Sequence, residues 1–534
     1  MRNLLVLSIV GCTAALHAQQ CTWLRAEPLA YESNPSIPNV VVASAPERLV
    51  AAWQNSGVFI YGSDLYGDAA LAQLDPLNGS PLWSCPLGDT VNVESAAVSS
   101  SGMAYFAGRF MGDMELCDGS VLGGIQNGGP WTVNLFLVAV DLTTGMVEWK
   151  RNLTSTHDQA LGVPSLAIDP SGELWYAVLE WGVGKAVRVD GNGQDVETRI
   201  VDGVRNLGSI SFDPWGGLYM SGAVDDDGFA FGGQAYQGYG GTGYNMFVLR
   251  FRPDGTAGFA AFAPDITFQD PTVVATSDGH AYLAGNLFDV SQWGDVVFGG
   301  PEWSSGLFLT RLDSVGDFLW GREAEAVVEG QITGDVHRAK GPCIAVDAAD
   351  HVYVMADVRG TVGWGNGVTS GSGPLSQRMQ AMIAFSPAGL AQWSLSSDPS
   401  NGYQESRTLT ASALPNTVHF AGHFRDQLTF GPHTVGQIDQ QAAVLGMVSS
   451  GPTDVGGMDD TEASRIWPVP ASSTVRFHVD ESDRGPATVM SSDGRFVFQV
   501  NLGGIVSELD VHDLVPGVYT LRTAKGRVMR FVKE

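Results

Sequence analysis

The chain has 534 residues, a formal net charge of −28 at pH 7 and only 16% charged residues. This excess of negative charge repels phosphate backbones, which argues against nucleic-acid binding, and it suits a protein that works in the extracellular medium. The 67 glycines disfavour long helices and serve tight turns, so the composition predicts many short strands.

Residues 1–18 have the anatomy of a secretory signal peptide. Arg2 precedes the apolar run "LLVLSIVGCTAAL", and Ala18 supplies a small residue at the predicted cleavage point. The run is too short to span a bilayer, and no later segment of the sequence is long enough to do so. An alternative is "IVGC", which resembles a lipoprotein cleavage box that would leave Cys12 lipidated. Both interpretations predict export.

One strand pattern recurs along residues 19–448. The stretch "HAYLAGNLF" from His280 has relatives that begin at Met103, Gly217, His351 and Thr417. Aromatic and small residues alternate in each, so one face is bulky and the other permits close packing of a neighbouring sheet. These strands mark seven units, near residues 49, 103, 175, 218, 281, 352 and 418. Because one four-stranded sheet cannot bury both of its faces, the pattern predicts an all-β fold, a β-propeller of about seven blades.

A second signal is an aromatic residue four positions after a turn glycine. The spacing occurs at Gly79/Trp83, Gly145/Trp149, Gly255/Phe259, Gly316/Trp320 and Gly389/Trp393. The third unit departs from it, with Glu197 four residues after Gly193, and the last unit has no such pair. The mature N-terminus supplies the missing piece as "TWLRAE". We therefore predict that residues 22–27, including Trp23, form the outer strand of the last blade, pair with about 441–447 and close the ring.

The stretch "AVDLTTGMVEW" (139–149) resembles the tryptophan-docking motif of quinoprotein-like propellers. In several units the strand before the recurring one ends in an aspartate turn, as in "SISFDPWG" from Ser209. This turn and the recurring second strand are similar to the seven-bladed repeats (SBBP-type) of secreted bacterial proteins. Both resemblances imply a structural role for the aromatic residues, each docked between two blades: Trp23, Trp83, Trp149, Phe259, Trp320 and Trp393. Quinoprotein dehydrogenases use two adjacent cysteines and a calcium site, and this chain has no adjacent cysteines.

Four cysteines remain after cleavage at Ala18, namely Cys21, Cys85, Cys117 and Cys343. An oxidising destination permits disulfides, but four cysteines allow three pairings and the sequence does not choose among them. Cys343 lies in an apolar strand, where a buried free thiol is expected.

Three features are candidates for ligand or metal binding. His419 and His423 lie four residues apart on a predicted strand, hence on one face, but His419 replaces the tyrosine of other units and no third metal ligand is evident. "DGNGQD" (190–195) and "VDDDGF" (224–229) resemble calcium loops; the first lacks the EF-hand Gly and Glu, and hairpin turns are predicted. The loop with Tyr236, Tyr239 and Tyr244 offers aromatic faces to a sugar, or is an inter-strand loop with partly buried tyrosines. No catalytic residue, metal site or cofactor is predicted, apart from calcium held loosely by the acidic exterior.

Composition changes at residues 449–464, which are predicted to be a linker. Residues 465–534 carry alternating strands that predict a small β-sandwich. This tail resembles the type A C-terminal sorting domain of the type IX secretion pathway of Bacteroidetes, although Val469 replaces the usual Asn. The matching motif residues are Pro468, Pro470, Ala471, Asp493, Gly494, Leu514, Pro516, Gly517 and Tyr519. The resemblance implies that an outer-membrane translocon and its sorting machinery read the tail, which is often removed while the protein is attached to the cell surface.

The sequence thus predicts a secreted or cell-surface propeller that binds an extracellular protein or glycan. One alternative is a polysaccharide hydrolase or lyase on the same scaffold, and a less favoured one is a quinoprotein-like oxidoreductase. An enzyme should gather two or three carboxylates, or a histidine with carboxylates, at one mouth of the central channel. A binding module should show aromatic residues or an undifferentiated polar surface there.

Overall fold

The structure is a computed structural model. It describes residues 17–29, 39–54, 58–61, 64–126, 132–157, 160, 162–225, 227–238, 245–263, 270–287, 291–299, 306–328, 331–400, 402–414, 416–452, 466–467, 473–478, 484–491, 496–503, 506–523 and 528–533. Over these ranges the chain contains no α-helix and one short 3₁₀ turn, Leu153–Ser155. The chain divides into two compact units, Met1–Pro452 and Thr453–Glu534.

The first unit consists of seven antiparallel blades of four strand positions each. In each blade the inner strand comes first, followed by the second, third and outer strands. Blade 1 contains Val40–Ala45, Arg48–Gln54, Asp64–Leu74 and the start of Pro81–Val98. The rest of that long strand begins blade 2, which continues with Met103–Met111, Val133–Asp141 and Met146–Asn152. Blade 3 contains Ser165–Ile168, Leu174–Glu180, Val183–Val189 and Asp195–Asp202. Blade 4 contains Val204–Phe212, Leu218–Val224, Asn245–Phe251 and Ala257–Ala263.

The remaining blades follow the same plan. Blade 5 contains Thr272–Ala275, Ala281–Leu287, Gly306–Leu312 and Phe318–Glu323. Blade 6 has a split inner strand, Gly334–Arg338 and Ile344–Val346, followed by Val352–Gly360, Arg378–Phe385 and Ala391–Ser396. Blade 7 contains Gln404–Ala411, Thr417–Arg425, Gln441–Pro452 and His17–Pro28. The predicted all-β propeller of about seven blades is confirmed, and each recurring strand is the second strand of one blade.

Additional short strands lie in the connections between the blade strands. Val58–Tyr61 pairs with the third strand of blade 1. The others form two-stranded hairpins: Met114–Glu115 with Val121–Leu122, Phe229–Phe231 with Gln234–Tyr236, Ser291–Trp293 with Val296–Phe298, Val327–Val328 with Gln331–Ile332, Val362–Gly363 with Thr369–Ser370, and Leu428–Phe430 with His433–Val435.

The inner strands surround a common axis. Residues from all seven blades line one partly open space of about 160 Å³, among them Val42, Ser95, Ser165, Ile210, Val273, Pro342 and Leu409. Each inner strand has one edge without a strand partner in its own sheet. Hydroxyl groups of neighbouring blades form hydrogen bonds with some of the backbone groups along that edge. Ser165 Oγ accepts from the backbone N–H of Ile210 at 3.1 Å, and Ser209 Oγ accepts from that of Val273 at 2.7 Å. These bonds seal adjacent blades without a continuous sheet.

The N-terminal strand closes the ring as predicted. His17–Pro28 pairs antiparallel with Gln441–Pro452, and the register places Trp23 opposite Met447 and Glu27 opposite Ala443. The third strand of blade 7 therefore continues to Pro452, beyond the predicted propeller boundary at residue 448. It does so because the first residues of the closing strand extend the ladder. That strand begins at His17, so cleavage at Ala18 would remove only its first two residues.

Aromatic residues of the outer strands lie over turn glycines of the following blade. The glycines have positive φ, and a Cβ on any of them would come within 2.4–2.8 Å of the ring. The pairs are Trp23 over Gly79, Trp83 over Gly145, Trp149 over Gly193, Phe259 over Gly316 and Trp320 over Gly389. Only glycine combines the left-handed backbone with the absence of a side chain that these contacts require. Trp393 is buried and packs on Tyr353 of its own blade, with ring centroids 5.9 Å apart.

The boundary between blades 3 and 4 replaces this contact with an arginine. Where other blades carry the aromatic residue, Glu197 pairs with Arg199 at 3.1 Å. The Arg199 guanidinium lies 4.8 Å from the ring centroid of Trp175 and donates to the carbonyls of Arg252 and Pro253 in blade 4. The two hydrogen bonds, and a longer cation–π contact of 5.9 Å with Phe251 of blade 4, thus join the two blades where the spacing rule fails, while the contact with Trp175 lies within blade 3.

One disulfide, Cys85–Cys117, joins the outer strand of blade 1 to the hairpin segment of blade 2, with Cα atoms 5.0 Å apart. Cys21 and Cys343 are free and buried. Burial raises the pKa of the Cys343 thiol, as expected for an inert core thiol.

The second unit contains two antiparallel sheets. One has Ile466–Trp467, Thr474–His478 and Val506–Asp510. The other has, in spatial order, Phe496–Leu502, Gly485–Ser491, Gly517–Thr523 and Val528–Lys533. Val475 and Leu509 of the first sheet share one apolar cluster with Val489, Leu521 and Phe531 of the second. The two sheets therefore form the predicted small β-sandwich.

Candidate functional site

The two ends of the central channel differ. Because the strands alternate in direction, the connections from inner to second strand and from third to outer strand lie on one end, which we call the turn face. The connections from second to third strand and from one blade to the next lie on the other end, which we call the hairpin face. The inner strands begin at the hairpin face, so their first residues form its channel mouth.

Polar side chains occupy one equivalent position near the end of the second strands, on the hairpin face. The residues are Gln54, Arg109, Asn286, Asp357 and His423. Three of them contact the beginning of the next blade's inner segment. Gln54 Nε2 donates to the carbonyl of Val91 at 2.9 Å, Asn286 Oδ1 accepts from the N–H of Arg338 at 3.0 Å, and Asp357 Oδ1 accepts from that of Ser406 at 2.7 Å. This position therefore both joins blades and makes the mouth polar.

The densest group lies between blades 6 and 7. We call it the blade 6–7 cluster, and its members are Lys340, Asp357, Arg378, Tyr403, Glu405 and Arg407. Arg378 lies 3.5 Å from a carboxylate oxygen of Asp357 and donates to the hydroxyl of Tyr403 at 3.1 Å. That hydroxyl donates to Glu405. Glu405 also faces Lys340 at 3.5 Å and Arg407 at 3.8 Å.

Two of the three cations of this cluster reach solvent, and its carboxylates are buried. The Glu405 side chain is 0% exposed and that of Asp357 is 4% exposed, whereas those of Lys340 and Arg378 are 60% and 21% exposed. The third cation, Arg407, is only 10% exposed, so the buried carboxylates leave Lys340 and Arg378 facing solvent. The surface presented to a ligand is therefore cationic, although the chain as a whole carries −28.

Burial and neighbouring charges give the carboxyl groups of Asp357 and Glu405 different pKa values. Burial raises the pKa of Asp357 to about 7, against the opposing effect of Arg378 and with a further increase from the charge of Glu405. Burial also acts to raise the pKa of Glu405, but Arg407, the Tyr403 hydroxyl and Lys340 outweigh it, and the pKa lies below its usual value. Near neutral pH Asp357 is thus partly protonated, which increases the positive excess of the cluster.

Two further ion pairs belong to the same mouth. Glu94 pairs with Arg109 and accepts from the backbone N–H of Val163 at 2.9 Å. Asp270 lies 3.4 Å from Arg338. Carboxylates thus gather at one mouth, as the enzyme alternative requires, but each has a cationic partner. Asp357 and Glu405, the pair with separated pKa values, are too buried to reach a substrate. The arrangement fits a preformed binding surface better than a general acid and base.

The two histidines that the sequence singled out do not converge on a common site. His419 Nε2 lies 3.0 Å from the carbonyl of Pro76, and its ring packs beside Trp23 with centroids 6.0 Å apart. It thus takes the structural place of the tyrosines in other blades. His423 is buried in the wall of the blade 6–7 cluster near Tyr403, and burial lowers its pKa to about 3, so it is neutral. Within the described ranges no group of three or more His, Cys, Asp or Glu side chains is arranged to hold a metal ion.

The candidate ligand loop is only partly described. The ring of Tyr236 stacks on Phe229, with centroids 4.9 Å apart, so one of its faces is already covered. Tyr239 and Tyr244 lie outside the described residues. In "DGNGQD", Asp190 Oδ1 accepts from the N–H groups of Asn192 and Gln194 across a hairpin turn.

Of the sorting-motif residues in the tail, likewise, the structure describes only some. Tyr519 is buried, its hydroxyl donates to the carbonyl of Val515 at 2.8 Å, and Leu514 packs against the sandwich core. Gly517 begins the next strand, and Pro516 is exposed. Pro468, Pro470, Ala471, Asp493 and Gly494 lie outside the described residues.

Sequence reasoning missed the charged residues of the mouth. One signal was present, because Arg109 and Asp357 are charged residues inside otherwise apolar strands. Their pairing was not visible, since partners such as Lys340 and Glu405 lie far apart in the chain. Along the part of the chain that the structure describes, no helix is long and apolar enough to cross a membrane.

The chain is therefore a seven-bladed β-propeller followed by a small β-sandwich. No protein-family model matches it, and no curated protein matches its sequence. Solved structures that resemble it include the WD40 repeats of RRP9, with 10% identity, 80% of this chain and 100% of that chain covered, and a TM-score of 0.40. Another is PorZ, a surface component of the type IX secretion system of Porphyromonas gingivalis, with 9% identity, 97% and 100% covered, and a TM-score of 0.16. A third is the exotype rhamnogalacturonan lyase YesX, with 12% identity, 69% and 75% covered, and a TM-score of 0.31. Likeness at this level carries no inference about function.

Proposed function

We propose that this protein is a secreted or cell-surface binding module that captures a ligand with anionic groups at the hairpin-face mouth of its propeller. The observation that carries the proposal is the blade 6–7 cluster, in which buried Glu405 and Asp357 hold outward-facing Lys340 and Arg378 in fixed positions. A rigid, prearranged cationic surface lowers the entropic cost of binding an anion.

The acidic body of the protein gives this surface its selectivity. A chain with net charge −28 repels anions over most of its surface, so an anionic ligand is favoured only where cations are locally in excess. Charge complementarity of this kind affects association rate and specificity more than the final affinity. Binding at the mouth should therefore weaken as ionic strength rises.

A matched pair of lysine variants tests the proposal. Binding of oligogalacturonate and of hexaglutamate to the mature chain is measured by calorimetry for Lys340→Ala and for Lys150→Ala, a lysine on the outer strand of blade 2. For whichever anion binds, we expect Lys340→Ala to weaken the affinity about fivefold, which corresponds to a loss of roughly 1 kcal/mol at an exposed charge. Lys150→Ala should leave the affinity unchanged. Equal effects of the two variants would contradict the proposal, and so would the failure of acidic glycans and hexaglutamate alike to bind.

The same samples separate binding from catalysis. Because the mouth carboxylates are paired or buried, the bound ligand should be recovered intact after prolonged incubation, as judged by chromatography. Release of shortened products would instead support the hydrolase or lyase alternative.

We further propose that the tail directs export through the type IX pathway. What supports this is the ordered set of tail motifs together with a separate sandwich unit that begins at Thr453. In a bacterium with this pathway, the chain without residues 453–534 should stay in the periplasm as a folded propeller, while the full chain reaches the surface or the medium. Cell fractionation measures both, and export of the shortened chain would contradict the proposal.

A further inference from the structure

The tightest connection on the hairpin face carries an exposed tryptophan. In blade 3 the second and third strands are joined by two residues, Trp181 and Gly182, between the paired residues Glu180 and Val183. The Trp181 side chain is 74% exposed. Other blades carry longer connections at this point.

The backbone at this turn does not suit its residue. Trp181 has φ of 52° and Gly182 has φ of 78°, the pattern of a type I′ turn, in which Asn-Gly is the preferred sequence. Among the described residues, the other non-glycine residues with positive φ are Asn, Asp or Glu, whereas Trp181 is bulky and aromatic. Strain of this kind, combined with exposure of a large apolar ring, is a cost to the fold and points to a use outside it.

The turn is fixed against the start of the inner strand of blade 4. The carbonyl of Gly182 accepts from the N–H of Val204 at 2.8 Å, and Val204 is the first residue of the inner strand of blade 4. The short loop fixes the backbone that carries the ring. Trp181 therefore presents an exposed aromatic surface on the same face as the blade 6–7 cluster.

The surroundings of the ring are polar. Glu180 Oε2 is bound by Lys185 and lies 3.2 Å from Nδ1 of His157. The other exposed large apolar residues of blade 3, Val196 and Ile200, lie on its outer strand. A protein partner or a membrane would favour a continuous apolar patch. A sugar ring instead combines one apolar C–H face, which packs on an aromatic ring, with hydroxyl groups that bond to charged side chains.

We propose that Trp181 is a stacking platform for a sugar ring, so that the ligand captured at the hairpin-face mouth is an acidic glycan. This inference rests on the proposed function and adds the class of ligand. The glycan stacks on Trp181 in blade 3, and because blade 3 lies across the ring from blades 6 and 7, further sugar units extend over the mouth so that their acidic groups reach its cations.

The test compares stability with affinity, because replacing Trp181 should weaken ligand binding without lowering the stability of the fold. Trp181→Asn places the favoured residue before Gly182, so it removes the ring without lowering the thermal unfolding midpoint. Trp181→Phe keeps an aromatic face. The matched control is Trp215→Ala, because Trp215 is also exposed, at 61%, but lies in a turn on the opposite face of blade 4. Binding to the mature chain is measured for oligomers of galacturonate, alginate and chondroitin sulfate, and for hexaglutamate as the acidic peptide.

We expect at least one of the glycans to bind. Trp181→Asn should weaken that binding about tenfold or more, as loss of an aromatic hot spot does. Trp181→Phe should retain most of the binding, and Trp215→Ala should bind as the parent does.

Three results would overturn the inference and leave the proposed function standing. They are binding of hexaglutamate but of no glycan, glycan binding that Trp181→Asn does not change, and a lower unfolding midpoint for Trp181→Asn. Failure of all four probes would overturn the proposed function and the inference together.

Discussion

The closing strand offers the sharpest test of the fold, through the substitution Trp23→Ala. Trp23 is 7% exposed, lies over Gly79 of blade 1, and donates from Nε1 to the carbonyl of Pro76 at 3.2 Å. Replacing a buried tryptophan by alanine costs about 3–5 kcal/mol, from lost burial and from the cavity that remains. The lost hydrogen bond adds little, because His419 still faces the same carbonyl at 3.0 Å. The expected loss is therefore about 3–5 kcal/mol.

Urea unfolding of the mature chain, followed by tryptophan fluorescence and by far-ultraviolet circular dichroism, measures this loss. The control is Leu82→Ala, on the outer strand of blade 1, where the side chain is 61% exposed. That substitution should change the free energy of unfolding by no more than about 0.5 kcal/mol. A loss below about 1 kcal/mol for Trp23→Ala would show that the N-terminal strand does not hold the ring closed.

Three further predictions concern the disulfide, the buried acid and a turn glycine. Reducing Cys85–Cys117, which are separated by 32 residues, should lower the free energy of unfolding by about 3–4 kcal/mol, measured with and without reductant. Because the pKa of Asp357 is raised from 3.8 to about 7 by burial, the folded state holds a proton that the unfolded state has lost, so its contribution to stability falls between pH 4 and 7. Asp357→Asn should therefore gain stability relative to the parent across that range, by up to about 4 kcal/mol; a pH-independent difference would contradict the assignment. Gly145→Ala should destabilise by more than Gly112→Ala, since both have similar positive φ but only the first would place its Cβ within 2.4 Å of a docked indole; equal losses in urea unfolding would show that docking adds nothing.

The architecture could be predicted because each blade repeats the same packing problem. The alternation around Tyr282 or Tyr353 marks a second strand, and Gly145 with Trp149 marks a turn and an outer strand. These are local patterns, so a single sequence displays them. The closing strand was also accessible, since "TWLRAE" supplies what the last unit lacks and the observed pairing of Trp23 with Met447 falls in the predicted register.

The site could not be predicted in the same way. Lys340 and Glu405 come together only because blades 6 and 7 are neighbours around the axis, and a sequence pattern does not give the distance between them. The exposure of Trp181 depends on a positive φ that "EWGV" does not reveal by itself. The choice of Cys85 and Cys117 as partners depends on how blade 1 meets the hairpin of blade 2.

The signal peptide, the type IX export route and the sorting role of the tail stay predictions. Their support lies in sequence motifs, several of which fall outside the described residues. The sandwich of the second unit is consistent with a separate module, and it does not by itself define what reads it.

Hydrogen exchange with a bound acidic glycan tests most directly whether the hairpin face is the ligand site. The mature chain is compared with and without the glycan, and protection is mapped by mass spectrometry. We predict added protection at residues 180–183, 338–341 and 403–407, on the hairpin face. Protection confined to the turns at residues 169–173 and 213–217, on the turn face, would contradict the account.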